Sequence, residues 1–278
     1  MKQHKTINFF EPQVMAILNV TPDSFYAGSR NLEASDIERR VKEAVEEGAM
    51  MIDVGGYSSR PGADEVPVEE EWRRVEMGVD AVRRLAPDVV VSVDTFRSEV
   101  ARRAVERFGW LVINDISAGE LDTEMIPQVA RLGVPYIAMH MKGTPKTMQS
   151  QTDYERDITS EVVTYFEEKC LSLQEAGIAR EQIILDPGFG FAKTLEQNYA
   201  LLGGLHRLVE MGYPVLAGLS RKSMIYKTLN VTPNETLAGT VALDWECLRQ
   251  GATILRVHDV REAVDSVKLF EIFKSQNQ

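Results

Sequence analysis

The sequence predicts a (β/α)8 barrel, a single α/β domain in which eight parallel strands alternate with helices. Two observations lead to this prediction. Eight short apolar runs rich in β-branched residues each end in a polar residue, and segments with helical periodicity lie between consecutive runs. A length of 278 residues suits one barrel with modest loops. We therefore expect residues 1–278 to form one domain, with a short N-terminal extension over residues 1–13.

The predicted strands follow in order along the chain. The runs over 15–18, 51–52, 89–93 and 111–113 end at Asn19, Asp53, Asp94 and Asn114. The runs over 136–139, 183–185, 215–219 and 254–255 end at His140, Asp186, the segment 220–222, and Arg256 with His258. The runs lack apolar–polar alternation, as do parallel strands covered on both faces. Because all the strands of such a barrel end at one rim, these polar residues predict an active site there.

The segments between the strands have the apolar spacing of helices. Ile37, Val41 and Ala44 follow the i, i+4, i+7 spacing of one apolar stripe. A second stripe comprises Ile158, Val162, Phe166, Cys170 and Leu173. Six glycines stand just before the next strand, at Gly48, Gly109, Gly133, Gly177, Gly212 and Gly251. They predict helix ends, because the residue after a helix often adopts a left-handed conformation.

Composition narrows the class of protein. The net charge of −11 argues against a nucleic-acid partner. No stretch approaches the roughly 20 apolar residues of a membrane span, so no membrane partner is expected. Cys170 and Cys247 lie in helix-patterned segments, which favours buried thiols over a disulfide. Reduced thiols and the lack of a signal-peptide pattern predict a cytoplasmic protein.

Three strand ends could together bind a planar heterocycle. Asp94, Asn114 and Asp186 end the third, fourth and sixth strands and offer two carboxylates and one amide. Such a set suits an amidine-like edge, which presents adjacent donors to a carboxylate. Lys222, after the seventh strand, could bond a ring nitrogen or carbonyl. The alternative for any one Asp is that it caps the following helix, but this is a poor explanation of all three.

A second group suits a polyanion such as a phosphate ester. Arg256 and His258 are two residues apart on an extended strand, so their side chains point the same way. Asn19 ends the first strand, which neighbours the eighth in a closed barrel, and barrels often bind phosphate near strands seven and eight. Arg60, in the long connection after the second strand, could add a further cation.

The segment 220–223 begins a predicted helix directly after the seventh strand. Free backbone N–H groups at its start, near Ser223, favour a carboxylate or a phosphate. The alternative is an ordinary serine N-cap with no ligand. Two further connections, over 19–32 and 55–67, exceed the usual length of a βα turn and predict covers over a site at the rim.

Taken in order, these stretches resemble the dihydropteroate synthases of the pterin-binding barrel family. The matching motifs cover residues 17–25, 59–62, 92–95, 113–116, 139–141, 185–191, 220–223 and 256–259. The similarity extends from about residue 14 to about 272. No single motif decides the matter, but eight motifs in the correct order are very specific.

The resemblance implies a transferase of folate biosynthesis, the target of sulfonamides, that condenses 6-hydroxymethyl-7,8-dihydropterin diphosphate with 4-aminobenzoate and releases diphosphate. It implies that Asp94, Asn114, Asp186 and Lys222 bind the pterin. It implies that Asn19, Arg256 and His258 bind the diphosphate, with Mg²⁺ held by Asn19. The other substrate-binding residues that it implies are Phe25, Ser59, Arg60, Pro61, Met139, Phe191 and Ser223. It also implies a homodimer formed through helices late in the barrel.

The sequence departs from the family at informative places. Tyr57 stands where the family usually has Glu, Ala27 stands where it commonly has Asp, and Tyr226 stands where Gly is common. Two alternatives to the synthase are considered. One is a methyltetrahydrofolate-binding methyltransferase domain, which would need no diphosphate site. The other is a pterin-binding protein without turnover.

Overall fold

The eight predicted strands form a (β/α)8 barrel in a computed structural model that describes residues 7–21, 30–58 and 65–276. The strands are β1 (Gln13–Asn19), β2 (Met51–Gly55), β3 (Val90–Asp94), β4 (Val112–Asp115), β5 (Tyr136–Met139), β6 (Ile183–Asp186), β7 (Leu216–Ala217) and β8 (Ile254–Val257). The helices are α1 (Arg30–Glu46), α2 (Val68–Leu85), α3 (Ser98–Phe108), α4 (Met125–Leu132), α5 (Ile158–Glu175), α6 (Leu195–Gly203), α7 (His206–Val209), α8 (Ser223–Leu229), α9 (Leu237–Arg249) and α10 (Val260–Ser275).

All the strands pair in parallel, in the order β6-β5-β4-β3-β2-β1-β8-β7. A parallel bridge between Leu185 and Val215 joins β6 to β7 and closes the barrel. The β1–β8 pairing confirms that Asn19 lies on the strand next to Arg256. The run predicted over 215–219 gives a shorter strand, because the chain leaves the sheet at Gly218.

Alternate residues of each strand face the barrel interior and the surrounding helices. The interior cluster consists of Phe9, Met15, Met51, Val112, Ile137, Ile184, Leu216 and Ile254. Their sequence neighbours, such as Val14, Ala16, Ile52 and Leu255, belong to the separate core between strands and helices. Both faces of the strands are therefore apolar, which explains why the sequence runs do not alternate.

Phe9 fills the bottom of the barrel, at the end opposite the polar strand ends. It is 7% exposed and packs with the interior residues of the strands, whereas the next residue, Phe10, is 53% exposed. The segment that the sequence marked as an extension thus supplies part of the core. Phe9 is buried there because the lower end of the barrel would otherwise be open and would expose the interior residues to water.

The helices match the patterns read from the sequence. Ile37, Val41 and Ala44 are buried on α1, and the whole stripe from Ile158 to Leu173 is buried on α5. All six helix-closing glycines have positive φ, from 63° at Gly133 to 100° at Gly251. Both cysteines are free and buried. Within the described ranges, none of the helices combines the length and apolar content that a membrane crossing needs.

Candidate active site

Five strands each place a functional side chain two residues beyond the interior cluster. The pairs are Met51 and Asp53, Val112 and Asn114, Ile137 and Met139, Ile184 and Asp186, and Ile254 and Arg256. Residues two apart on a strand point to the same side, so these side chains line the mouth of the barrel. Strand register aligns Asn19 with Gly55, Gly55 with Asp94, and Asp94 with Asn114. The predicted strand-end residues therefore meet at one rim.

Arg256 lies at the centre of the site, between two carboxylates. Its Nε donates to Asp53 Oδ2 at 2.6 Å, and its Nη2 donates to Asp94 Oδ2 at 2.8 Å. Asn114 Nδ2 also donates to Asp53 Oδ2, at 3.0 Å. The side chain predicted to bind the diphosphate is thus hydrogen-bonded to a carboxylate predicted to bind the pterin. Asp53, a strand-end residue for which the sequence suggested no ligand, connects Arg256 with Asn114.

Several buried polar atoms at the floor of the mouth lack a partner among the described residues. They are Asp53 Oδ1, Asn114 Oδ1 and Ser92 Oγ. Buried polar groups are normally hydrogen-bonded, because an unpaired one loses its water without compensation. A carboxylate oxygen and an amide oxygen that lack a protein donor have the capacity to accept hydrogen bonds from a ligand that reaches the floor of the mouth. They favour a ligand that presents N–H donors.

Asp94 and Asp186 are carboxyl groups whose pKa values are raised. Burial raises the pKa of Asp94 to about 7, against the opposing effect of Arg256. Burial also raises the pKa of Asp186, although Lys222 and the backbone N–H of Gly188 favour its charged form. The Gly188 N–H donates to Asp186 Oδ1 at 2.8 Å. Strongly shifted carboxyl groups inside a cleft are typical of active sites.

Lys222 lies between β7 and α8 and is close enough to Asp186 and Arg256 to be affected by their charges. Burial lowers the pKa of Lys222 to about 8, while Asp186 raises it. Its ammonium donates to the carbonyl oxygen of Phe189 and lies 4.9 Å from the centre of the Phe191 ring. An aromatic face and an ammonium side by side can bind an aromatic ring that carries a negative group.

The connection from Asp186 to α6 is held by side chains along its whole length. Each carbonyl from 188 to 192 accepts a hydrogen bond from a side chain: Gly188 and Phe191 from Lys193, Phe189 from Lys222, Gly190 from Gln149, and Ala192 from Tyr154. We call residues 187–193 the Asp186 loop. A loop fixed in this way positions Phe191 and Asp186 before any ligand arrives.

His258 contacts Ser220. Its Nδ1 lies 3.0 Å from Ser220 Oγ, which also accepts from the His258 backbone N–H at 3.1 Å. The serine N-cap considered from the sequence is wrong, because α8 begins at Ser223 after Lys222 and no side chain caps it. Arg221, with a positive φ of 58°, pairs with Asp259 through two nitrogens.

An apolar patch borders the polar mouth on one side. Ile116, Met139, Met141, Met148 and Ala192 are buried together, and Phe96, Leu121 and Phe191 pack against them. Met139 and Phe191, predicted to contact substrate, therefore belong to one surface. Such a surface can pack against a flat ring.

Tyr57, which stands where the family usually has Glu, packs against the start of the β3–α3 connection. Its ring meets the Phe96 ring edge-on at 5.1 Å, and the Arg97 guanidinium lies 5.3 Å from both rings. Arg97 in turn pairs with Glu71, which is buried, at 2.6 Å. Tyr57 thus replaces a family carboxylate with packing against Phe96 and Arg97.

Four of the predicted substrate-binding residues lie outside the described ranges. They are Phe25, Ser59, Arg60 and Pro61. The remaining predicted residues all lie at the rim, on strand ends or on the turns that follow. Two residues were missed. Asp53 ends a predicted strand, so its position could have indicated a role in the site. Lys193 follows a loop without a periodic pattern, so the sequence gives no indication of its position.

The geometry describes a barrel enzyme whose rim combines paired carboxylates, an amide and three cationic side chains with an apolar wall. A family model described as "Pterin binding enzyme" matches residues 15–258. The dihydropteroate synthase of Escherichia coli K12 is 44% identical, covering 97% of this chain and 94% of its own. The Yersinia pestis dihydropteroate synthase, solved with a sulfonamide drug complex, has a TM-score of 0.89 and 38% identity, covering 97% of this chain and 96% of its own. The Xanthomonas albilineans enzyme with 4-aminobenzoic acid has a TM-score of 0.87 and 39% identity, covering 96% and 95%.

The fold and rim define a pterin-binding (β/α)8-barrel transferase. The chain belongs to the pterin-binding enzyme family, and within it to the dihydropteroate synthases, the transferases of folate synthesis.

Proposed function

We propose that this enzyme condenses 6-hydroxymethyl-7,8-dihydropterin diphosphate with 4-aminobenzoate, giving 7,8-dihydropteroate and diphosphate. The observation that carries the proposal is the set of carboxylate and amide groups around Arg256, in which Asp53 Oδ1 and Asn114 Oδ1 are buried without a hydrogen-bond partner among the described residues. A sugar phosphate would not account for this combination of carboxylate and amide groups. A pterin, whose edge carries adjacent N–H donors, would use it.

The pterin edge would bind to Asp94, Asn114 and Asp186, with Asp53 as an additional acceptor. Two of these residues are already oriented by the protein: Asn114 donates to Asp53, and Asp186 accepts from the Gly188 N–H. Asp53 and Asp186 are buried and Asp94 is half-buried, so each hydrogen bond to a ligand replaces little water and gains strength from the low local dielectric. Lys222 would bond a ring nitrogen or carbonyl from the opposite side.

The diphosphate would bind to Asn19, Arg256 and His258, with Mg²⁺ held by Asn19. A Cβ atom added to Gly55 would lie 3.5 Å from Asn19 Oδ1 and 3.7 Å from Asp94 Oδ2. Two oxygen atoms therefore flank this point of the rim. Oxygen donors suit Mg²⁺, which binds through one or two protein groups together with phosphate oxygens and water. When bound, the ion would supply positive charge that makes diphosphate a better leaving group.

The aminobenzoate would bind between Phe191 and Lys222, with its carboxylate toward the Ser223 backbone. The support is the ring of Phe191 next to the Lys222 ammonium. By resemblance, Phe25, Ser59, Arg60 and Pro61 would complete this side of the site. Met139 would support the pterin ring from the apolar patch.

The bond from the exocyclic carbon to the diphosphate oxygen would break first, leaving positive charge on the pterin. Asp186 and Asp94 would stabilise that charge, and Arg256 would stabilise the departing diphosphate. The arylamine nitrogen would then form the new bond to carbon and lose its proton. A weakly basic arylamine needs positioning more than a strong general base, which the rigid Asp186 loop would supply.

A two-substrate assay with and without Mg²⁺ tests this function. We expect diphosphate release only when the pterin diphosphate and 4-aminobenzoate are both present, with a large stimulation by Mg²⁺. Calorimetric binding of the pterin diphosphate without release on adding aminobenzoate would instead identify a pterin-binding protein without turnover. Transfer of a methyl group from methyltetrahydrofolate would favour the methyltransferase alternative.

We also propose a homodimer in the cytoplasm, formed through the late helices. Large apolar side chains are exposed on α8, α9 and α10, namely Leu229, Leu237, Ile272 and Phe273 at 51, 39, 67 and 52%. α8 packs on α9, because a Cβ atom added to Gly239 of α9 would contact Ile225 and Leu229 of α8. The exposed apolar surfaces of these two helices are therefore partly contiguous. Sedimentation should give a dimer for the wild type and a monomer for Ile272→Glu. Leu171→Glu, 63% exposed on α5, is the control that should stay dimeric.

A further inference from the structure

We propose that Lys193 is a positioning residue for catalysis, because its ammonium shapes the Asp186 loop that presents Asp186 and Phe191 to the substrates. This inference rests on the proposed function for its catalytic consequence. Its structural part, the ordering of residues 187–193 around one buried ammonium, stands on the contacts alone.

Lys193 is buried, with 4% of its surface exposed, and its side chain folds back over its own loop. Nζ lies 2.9 Å from the carbonyl oxygens of both Gly188 and Phe191 and 3.0 Å from His140 Nδ1. An ammonium has three N–H donors and no acceptor. The His140 carbonyl oxygen is a fourth, more distant acceptor at 3.5 Å, so all three donors of the ammonium have acceptors within the protein.

The loop adopts backbone conformations that need such support. Gly188, Gly190 and Ala192 have φ of 69, 82 and 49°, so every second residue is in the left-handed region. Ala192 carries a Cβ, for which this region is unfavourable. The carbonyls of residues 188 and 191 both point toward the same ammonium, which offsets the cost of that backbone.

Lys193 also acts on Asp186 through charge. Burial lowers the pKa of Lys193 to about 7, and the Asp186 carboxylate opposes this by stabilising the charged form. Charged Lys193 in turn favours the ionised form of Asp186. His140 completes the arrangement, because a charged Lys193 has no acceptor and the Nδ1 contact at 3.0 Å then requires His140 to accept. Lys193 therefore connects the residue after β5 with the Asp186 loop, and it is not among the residues proposed to contact either substrate.

The test compares Lys193→Met, which keeps the length of the side chain and removes every donor, with Lys193→Gln, which keeps a donor group. Lys142→Met is the control: Lys142 also donates to a backbone carbonyl, that of Asp153, and lies 5.0 Å from the centre of the Tyr154 ring, and neither of these contacts is to the Asp186 loop itself. Hydrogen–deuterium exchange of the peptide covering 187–194 and steady-state kinetics are measured for each.

For Lys193→Met we expect faster exchange in residues 187–194, with the peptides of β1–β4 unchanged. Displacing Phe191 should raise KM for aminobenzoate about tenfold or more, since a shift near 1 Å can cost up to roughly a hundredfold in rate. KM for the pterin diphosphate should rise less, and Lys193→Gln should recover part of the loss. Lys142→Met should match the wild type.

Two results would overturn the inference. Exchange of residues 187–194 that is unchanged in Lys193→Met would show that the ammonium does not order the loop. A lower Tm with both KM values unchanged would show a merely structural lysine. If the wild type itself releases no diphosphate, the proposed function fails, and the exchange measurement still decides whether Lys193 orders the loop.

Discussion

Arg256 gives the mouth of the barrel a nearly balanced charge before any substrate binds. Its guanidinium contacts Asp53 on β2 and Asp94 on β3, while Arg256 itself lies on β8. Three strands are thereby linked through one side chain. Binding of a diphosphate would require this guanidinium to share its donors between the two carboxylates and the ligand.

Replacing Arg256 with Ala should destabilise the protein as well as weaken binding of the diphosphate substrate. The change leaves Asp53 and Asp94 facing each other without a cation, which typically costs about 3–5 kcal/mol. Because Arg256 favours the ionised form of Asp94, its loss should raise the pKa of that carboxyl further. Stability of the variant should therefore fall as pH rises through neutrality. Urea unfolding at pH 5 and pH 8 checks this; an equal deficit at both values would contradict it.

Asp186→Asn should leave the barrel folded and nearly abolish turnover. Asp186 lies at the rim and its carboxylate would stabilise positive charge on the pterin, which a neutral amide does not. Loss of one such contact costs about 3–4 kcal/mol, or roughly 10²–10³ in rate. Diphosphate release measures the effect, and circular dichroism checks the fold. A folded variant with most of its activity would rule out the role of Asp186.

Site residues could be predicted from the sequence where they stand at the end of a predicted strand. Asp94, Asn114, Asp186 and Arg256 were found in this way, because parallel strands end at one rim. The partnership of Arg256 with Asp53 was not, since it joins residues 203 positions apart and depends on barrel closure. Lys193 was missed for a different reason: its role arises from backbone dihedrals of the loop before it.

Among the elements, α9 contains an ionisable group that the proposed reaction does not use. Asp244 is buried and its Oδ1 has no partner within the described part of the chain. Burial, with a contribution from Asp259, raises the pKa of Asp244 from 3.8 to about 8. The folded protein thus keeps a proton that the unfolded chain releases between pH 4 and 8, so this group reduces stability as pH rises through that range.

Asp244→Asn should remove that loss, because an amide does not ionise. We expect the variant to gain about 1 kcal/mol or more at pH 8, roughly 2–4 °C in Tm for a chain of this size. At pH 4, close to the ordinary pKa of 3.8, the folded carboxyl is protonated and the unfolded one is only partly ionised, so the two should differ little. Thermal unfolding across pH 4–8 measures this. Parallel curves for variant and wild type would contradict the prediction.

At the scale of elements the sequence was informative because barrel units repeat. Apolar runs placed the strands, and glycines such as Gly133 marked helix ends that the backbone confirms with positive φ. The length of β7 was overestimated. Its apolar run extends to Leu219, but the chain turns away after Ala217 so that Ser220 can contact His258. Composition cannot distinguish a strand residue from an apolar residue in the turn that follows.

For the whole molecule, closure of the lower end of the barrel depends on Phe9. Phe9→Ala should cost about 3–5 kcal/mol, because it removes a buried ring and leaves a cavity against Met15 and Met51. Phe10→Ala is the matched control and should cost far less, since Phe10 is largely exposed. Urea unfolding of both variants measures the difference. Equal losses would mean that Phe9 does not close the interior.

The general architecture of the molecule followed from its sequence, whereas the burial of the N-terminal segment did not. A single phenylalanine in a short polar segment has no periodicity, so nothing in the pattern distinguishes Phe9 from Phe10. Only the closed barrel creates the cavity that one of them fills.

The two buried thiols provide an internal reporter of barrel opening. Cys170 lies on α5 and Cys247 on α9, and burial raises the pKa of both well above that of a free thiol. A thiol reagent should therefore react only with molecules that have opened around one of these helices. Labelling followed by mass spectrometry should give a reaction rate for Cys170 on α5 and another for Cys247 on α9. Equal rates that track global unfolding would indicate one cooperative unit, and unequal rates would reveal which side opens first.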